Sequence, residues 1–179
     1  MLKPEDTVLL LIDFQEKLFN AMHDRAELAR NTRILIKGLR ILGVPMIVTE
    51  QYPEGIGPTL PEVASMLSDT PRFRKLSFSC CGDPKCNEAI TAFRGKHFLV
   101  AGIETHVCVY QTVMDLLDDG FKVQVVSDAV SSRTARNRDI GLRIMENSGA
   151  VLTSTEIILF ELMKTAESEK FREVSGILK

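Results

Sequence analysis

The 179-residue chain predicts an α/β fold: an open, doubly wound parallel sheet with helices packed on its faces. Three observations support this class. Short apolar runs recur along the chain, and those at residues 7–14 (TVLLLIDF) and 97–103 (HFLVAGI) run on without alternation, as in strands covered on both sides. The segments between the runs have helical periodicity and close on glycine, at Gly43, Gly95, Gly120 and Gly149. No internal repeat, low-complexity tract or linker breaks the alternation. One domain over residues 1–179 is therefore expected, long enough to bury roughly two thirds of its unfolded surface.

The first strand, residues 7–14, ends in an acid. Asp13 stands at the carboxyl edge of a central strand, where ligands bind on open α/β sheets, although a capping or loop aspartate suits the same place. Residues 27–42 form a surface helix with Leu28, Leu35, Leu39 and Leu42 on one stripe and Arg30, Arg33, Lys37 and Arg40 on the other. The basic stripe reads as a solvated face. Residues 44–50 make the second strand, and residues 51–61 (QYPEGIGPTLP) read as a loop on their glycines and prolines, with Gln51 and Tyr52 at its root facing a pocket. Residues 70–78 (TPRFRKLSF) are short, β-prone and basic, which suits an edge strand; Lys75 lies in it, where an isolated lysine is ordinarily solvated.

Asp83-Pro84 opens a helix that runs to Gly95, and the strand at residues 97–103 follows. Thr105 is the expected cap of the next helix, whose stripe is Val109, Val113, Leu116 and Leu117. Residues 121–127 make a fifth strand with a turn at Asp128-Ala129, residues 134–147 a helix, and residues 151–153 a sixth strand. Thr155 is the expected cap of a last helix, residues 156–163, that is apolar nearly all round. The tail, residues 168–179, is amphipathic through Phe171, Val174, Ile177 and Leu178, and is expected to cover either its own domain or a second subunit, within a chain expected to form a homo-oligomer.

A formal net charge of -2 offers no footprint for nucleic acid. The apolar runs fall far short of the about 20 residues that span a bilayer, and the first residues lack the order of a signal peptide, so a cytoplasmic protein without membrane contact is expected. Cys80, Cys81, Cys86 and Cys108 then read as free thiols. The spacing of the first three is not that of a zinc site.

Cys108 sits in the first turn of a helix, where unpaired amides and the helix dipole stabilise a thiolate, unless it is a buried structural cysteine. Asp13, Lys75 and Cys108 thus follow three different strands. If the first and fourth strands are central, their carboxyl ends meet at the switch point and a neighbouring edge segment reaches it. A carboxylate there can take the thiol proton, and an ammonium can favour the thiolate.

The chain resembles the isochorismatase-like cysteine hydrolases over nearly its whole length. The matching motifs are Leu11-Ile12-Asp13-Phe14-Gln15, Lys75 with Phe78-Ser79, Gly102-Ile103-Glu104-Thr105 with Cys108-Val109, and Asp128-Ala129. Thr49-Glu50-Gln51-Tyr52-Pro53, Gly57-Pro58-Thr59 and Ser131-Ser132-Arg133 are similar to the isochorismatase-domain-containing branch. The resemblance implies a three-layer α/β/α fold with a six-stranded parallel sheet in the order 3-2-1-4-5-6. It also implies a triad of Asp13, Lys75 and Cys108, a cis peptide at Ile103-Glu104, and an oxyanion hole from the amides of Glu104 and Cys108. Phe14, Gln51, Tyr52 and Phe78 are the expected substrate contacts. The nicotinamidases of the family hold a metal with an aspartate and histidines after the second strand, and this chain has none there, so neither metal nor cofactor is expected. True isochorismatases need no cysteine at the nucleophile position. Cys108 therefore points to a cysteine hydrolase acting on the C-N bond of a small amide. The alternatives are an isochorismatase-type or other non-amide hydrolase, a low-activity oligomeric binding protein of the same fold, and a redox-active thiol protein.

Overall fold

The computed structural model describes residues 2–178. Its elements in chain order are β1 (Thr7–Ile12), α1 (Glu16–Phe19), α2 (Arg25–Leu42), β2 (Met46–Gln51), α3 (Pro53–Ile56), α4 (Pro61–Met66), β3 (Arg72–Lys75), α5 (Pro84–Thr91) and β4 (His97–Ile103). A π turn (Thr105–Val109) then leads into α6 (Tyr110–Asp118), followed by β5 (Lys122–Ser131), α7 (Ala135–Asn147), β6 (Val151–Thr153), α8 (Thr155–Met163) and α9 (Phe171–Leu178). The strands form one parallel sheet in the order β3-β2-β1-β4-β5-β6. Successive side chains of a strand point to opposite faces, so β1 feeds two cores. Leu9 and Leu11 pack under α2 and α8, whereas Val8, Leu10 and Ile12 pack with Val113, Leu116 and Leu142 under α6 and α7. Each of these side chains contributes about 1.5–3 kcal/mol by leaving water.

The structure corrects several sequence expectations. The first strand stops at Ile12 because Asp13 takes a left-handed backbone, φ 51°. The expected loop at residues 51–61 contains α3 and the start of α4, each with proline in its first turn, where its missing N–H costs nothing. The fifth strand continues through Asp128-Ala129 to Ser131. Val100 pairs with Val125 but Gly102 pairs with Val130, so four residues of β5 bulge out between them. Side chains satisfy the bulge: Asn31 donates to the Asp128 carbonyl at 3.0 Å, Arg138 donates to those of Ser127 and Val130, and Thr155 donates to the Asp128 carboxylate at 3.0 Å. Because Thr155 is spent there, Ser154 caps α8 instead, accepting from the Ile157 amide. The tail helix α9 docks on its own chain, with Val174 fully buried against α2 and α8. On α8, Ile157 remains 60% exposed and Phe160 42%.

Candidate active site

Three strand ends build the site. The Asp13 amide, turned by its left-handed φ, donates to the Thr49 carbonyl at 3.2 Å and so ties β1 to β2. Beside it, Gly102, next to last in β4, takes φ 126°, where a Cβ would meet the Ile12 carbonyl oxygen at 2.1 Å. Only glycine lets these two backbones approach so closely.

The β2–β3 register sets Gln51 opposite Lys75, which delivers the lysine to Asp13. The Lys75 ammonium donates to Asp13 Oδ2 at 2.6 Å, to Gln51 Oε1 at 2.7 Å, and to the carbonyls of Phe78 at 3.0 Å and Ser77 at 3.3 Å. Holding those two carbonyls bends the chain, which explains why β3 is only the four residues Arg72–Lys75 instead of the expected 70–78. Neither Lys75 nor Asp13 exposes any side-chain surface. Burial pulls the lysine pKa down, yet the Asp13 charge, with that of the neighbouring sulfurs once they ionise, outweighs it and holds the ammonium above its ordinary value. Thr49 completes the carboxylate, donating to Asp13 Oδ1 at 2.7 Å.

Cys108 lies in the π turn, after a cis peptide at Ile103-Glu104. Glu104, not Thr105, is the cap: its carbonyl accepts from the amides of Val107 at 3.1 Å and Val109 at 3.2 Å, and the buried Thr105 hydroxyl has no partner among the described residues. The Glu104 carboxylate is gripped by Arg133 through Nε at 3.1 Å and Nη2 at 3.0 Å. The Cys108 thiol is nearly buried and faces Gln51 Oε1 at 4.0 Å. Burial first, and then the Asp13 carboxylate, push the thiol pKa up, with Lys75 working against them. The surroundings of the sulfur thus favour the neutral thiol, against the pull of the helix start toward a thiolate.

The expected substrate contacts separate into three kinds. Gln51 is buried and spent on internal bonds, since its Nε2 also donates to the Leu76 carbonyl at 2.8 Å. Phe14 is wholly buried on the α2 side, 5.5 Å from the Phe19 ring; strand alternation would have put it with Val8, Leu10 and Ile12, but the left-handed backbone of Asp13 breaks the alternation. Tyr52 and Phe78 stand half exposed. His106 binds the Ser132 hydroxyl at 2.9 Å, and among the described residues no group of three or more His, Cys, Asp or Glu side chains is placed to hold an ion. Sequence reasoning gave no role to Thr49 or to Gln15. Gln15 locks the segment after β2, donating to the Gln51 carbonyl at 3.0 Å and accepting from the Gln51 amide at 2.8 Å. The two-residue period of β2, which puts Thr49 on the same side as Gln51, was the signal for the first.

The isochorismatase domain of known proteins matches residues 7–157. The rat isochorismatase domain-containing protein 2 is 39% identical over 176 residues, covering 98% of this chain and 82% of that protein. Among solved structures, the MAR1 ribonuclease of Caenorhabditis elegans superposes with a TM-score of 0.92 at 39% identity, covering 99% of this chain and 91% of that one. YcaC from Pseudomonas aeruginosa, solved with hexane-2,5-diol and covalent acrylamide, superposes with a TM-score of 0.92 at 27% identity, covering 98% and 90%. Domain match, identity and strand order agree, and the chain belongs to the isochorismatase family of hydrolases.

Proposed function

We propose that the protein hydrolyses the C-N bond of a small amide through a thioester on Cys108. Asp13 takes the thiol proton as Sγ bonds to the carbonyl carbon. The C-N bond then breaks, and the nitrogen leaves with the proton held by Asp13. Water, losing a proton to Asp13, adds to the thioester; the C-S bond breaks and the proton returns to sulfur. Lys75 stays charged throughout and steadies the carboxylate. The amides of Glu104 and Cys108 are assigned to the oxyanion, a role typically contributing about 3–4 kcal/mol per donor. No cofactor or metal enters this scheme.

The observation that carries the reading is the buried Lys75–Asp13 pair, 2.6 Å across, beside a thiol whose burial disfavours the thiolate and so calls for a base. The covalent acrylamide on the Pseudomonas relative is consistent with a nucleophile in that protein, since acrylamide bonds through its alkene carbon; it bears on the nucleophile and not on amide cleavage. The ribonuclease name of the nematode relative favours a second substrate, RNA. Lys75 is already saturated with acceptors and Arg133 is held by Glu104, while the net charge is -2, so neither cation is free for a polyanion. A panel of small carboxamides with ammonia release as readout, run beside an RNA substrate, tests both. Release abolished by Cys108→Ala is the expected result, and RNA cleavage that survives Cys108→Ala sinks the proposal. Self-association, through the exposed Ile157 and Phe160 of α8, is part of the same reading and is checked by light scattering.

A further inference from the structure

The cysteine-rich segment after β3 gains a part in the chemistry when the hydrogen bonds are followed outward from Asp13. Thr49 and Gln51 share one face of β2, and Glu50 points the other way, to Thr59. Each of the two meets one charged partner: Thr49 gives a proton to Asp13 at 2.7 Å, and Gln51 offers an oxygen to Lys75 at 2.7 Å. The Gln51 amide is oriented by its second bond, to the Leu76 carbonyl. The Thr49 hydroxyl is oriented too. It has a single proton, and the Cys80 thiol approaches its oxygen as a donor at 3.8 Å, leaving that proton for Asp13 Oδ1. Cys80 is fully buried, and its backbone amide donates to Thr112 Oγ1 of α6 at 2.9 Å, which pins it between β2 and the helix that follows Cys108.

We propose that Thr49, oriented by Cys80, is a positioning residue that fixes the Asp13 carboxylate in the place from which it takes the Cys108 proton. This rests on the reading of Asp13 as the base. A donor to the charged form of a carboxylate favours that form, so losing the donor makes the carboxylate hold a proton to higher pH. Thr49→Val keeps the shape and removes only the hydroxyl.

The test follows the rate of Cys108 alkylation by iodoacetamide against pH, read by peptide mass spectrometry on the full chain, so that no substrate has to be known. In Thr49→Val the acid limb is expected to move up by about one pH unit, a tenfold slowing at a fixed pH on that limb. Thr49→Ser should restore it, Cys80→Ala should move it part of the way, and Cys80→Ser should return it. Melting temperatures are taken on every variant. A lowered melting temperature with an unmoved limb would mean a purely structural role and overturn the proposal. If Thr49→Val does not fold, Thr49→Ala carries the same comparison. Asp13→Asn separates the two readings: an alkylation profile identical to wild type removes Asp13 from any hold on the Cys108 proton, whereas a profile changed in Asp13→Asn but unmoved in Thr49→Val overturns this proposal alone.

Discussion

Lys75 and Asp13 meet at 2.6 Å with neither side chain exposed, whereas Arg133 grips Glu104 through two bonds with its own side chain 66% exposed and that of Glu104 only 7%. Both pairs flank Cys108, yet water treats them differently. Burying two charges costs several kcal/mol per ion, and a matched apolar pair is often as stable, so an interior pair is weak evidence for stability. A pair open to solvent is screened and contributes about 0–1 kcal/mol. The inner pair is therefore better explained by chemistry than by folding. The outer one steadies Glu104, whose carbonyl caps the nucleophile turn.

The largest effect should come from breaking the inner pair. Lys75→Met leaves the Asp13 charge unmatched in the interior and is expected to cost about 3–5 kcal/mol in denaturant unfolding, with hydrolysis lost. Adding Asp13→Asn should recover most of the stability and none of the activity. A single-variant loss under about 1 kcal/mol would erase the distinction between the two pairs. Arg133→Gln comes next, at about 1 kcal/mol, and molar salt should shrink the difference from wild type while leaving that of Lys75→Met in place. A salt-independent Arg133→Gln defect would show the rim pair to be shielded after all. The smallest effect is in pH. Burial lowers the Lys75 pKa, but Asp13, with the nearby sulfurs once they ionise, raises it further, so the net shift is upward. A raised folded value stabilises fully below the unfolded lysine value of about 10.4 and is lost only as pH climbs through the folded one. The stability gap between wild type and Lys75→Met should thus stay level from about pH 7 to 9, and a gap that closes in that window contradicts the assigned shift.

The contrast also explains what the sequence made legible. Strand and helix alternation is a local signal, and so is an acid, a lysine or a cysteine standing just beyond an apolar run; the placement of Asp13, Lys75 and Cys108 at strand ends was visible in that way. Cross-strand facts were not. The bond from Thr49 to Asp13 depends on β1 and β2 sharing a register, Leu11 beside Val48, which no single run encodes. The bulge in β5 arises from its pairing with β4, so Asp128-Ala129 looked like a turn after a shorter strand. Phe14 was assigned to substrate through its neighbour Asp13; strand alternation would have placed it with Val8, Leu10 and Ile12, and only the left-handed turn at Asp13, which no apolar run encodes, sends it to the α2 core. The apolar stripe of the tail helix says only that something must cover it, not whether its own domain or a partner does.

Lys75 has three ammonium hydrogens and four acceptors within 3.3 Å. Its nitrogen therefore has no lone pair to offer and no path by which a reagent can approach. Amine-directed acylating esters should label the solvated lysines of the chain and pass over this one while the fold is intact. The label would enter at Lys75 only as the protein opens, which makes this one amine a clock for the unfolding of the site.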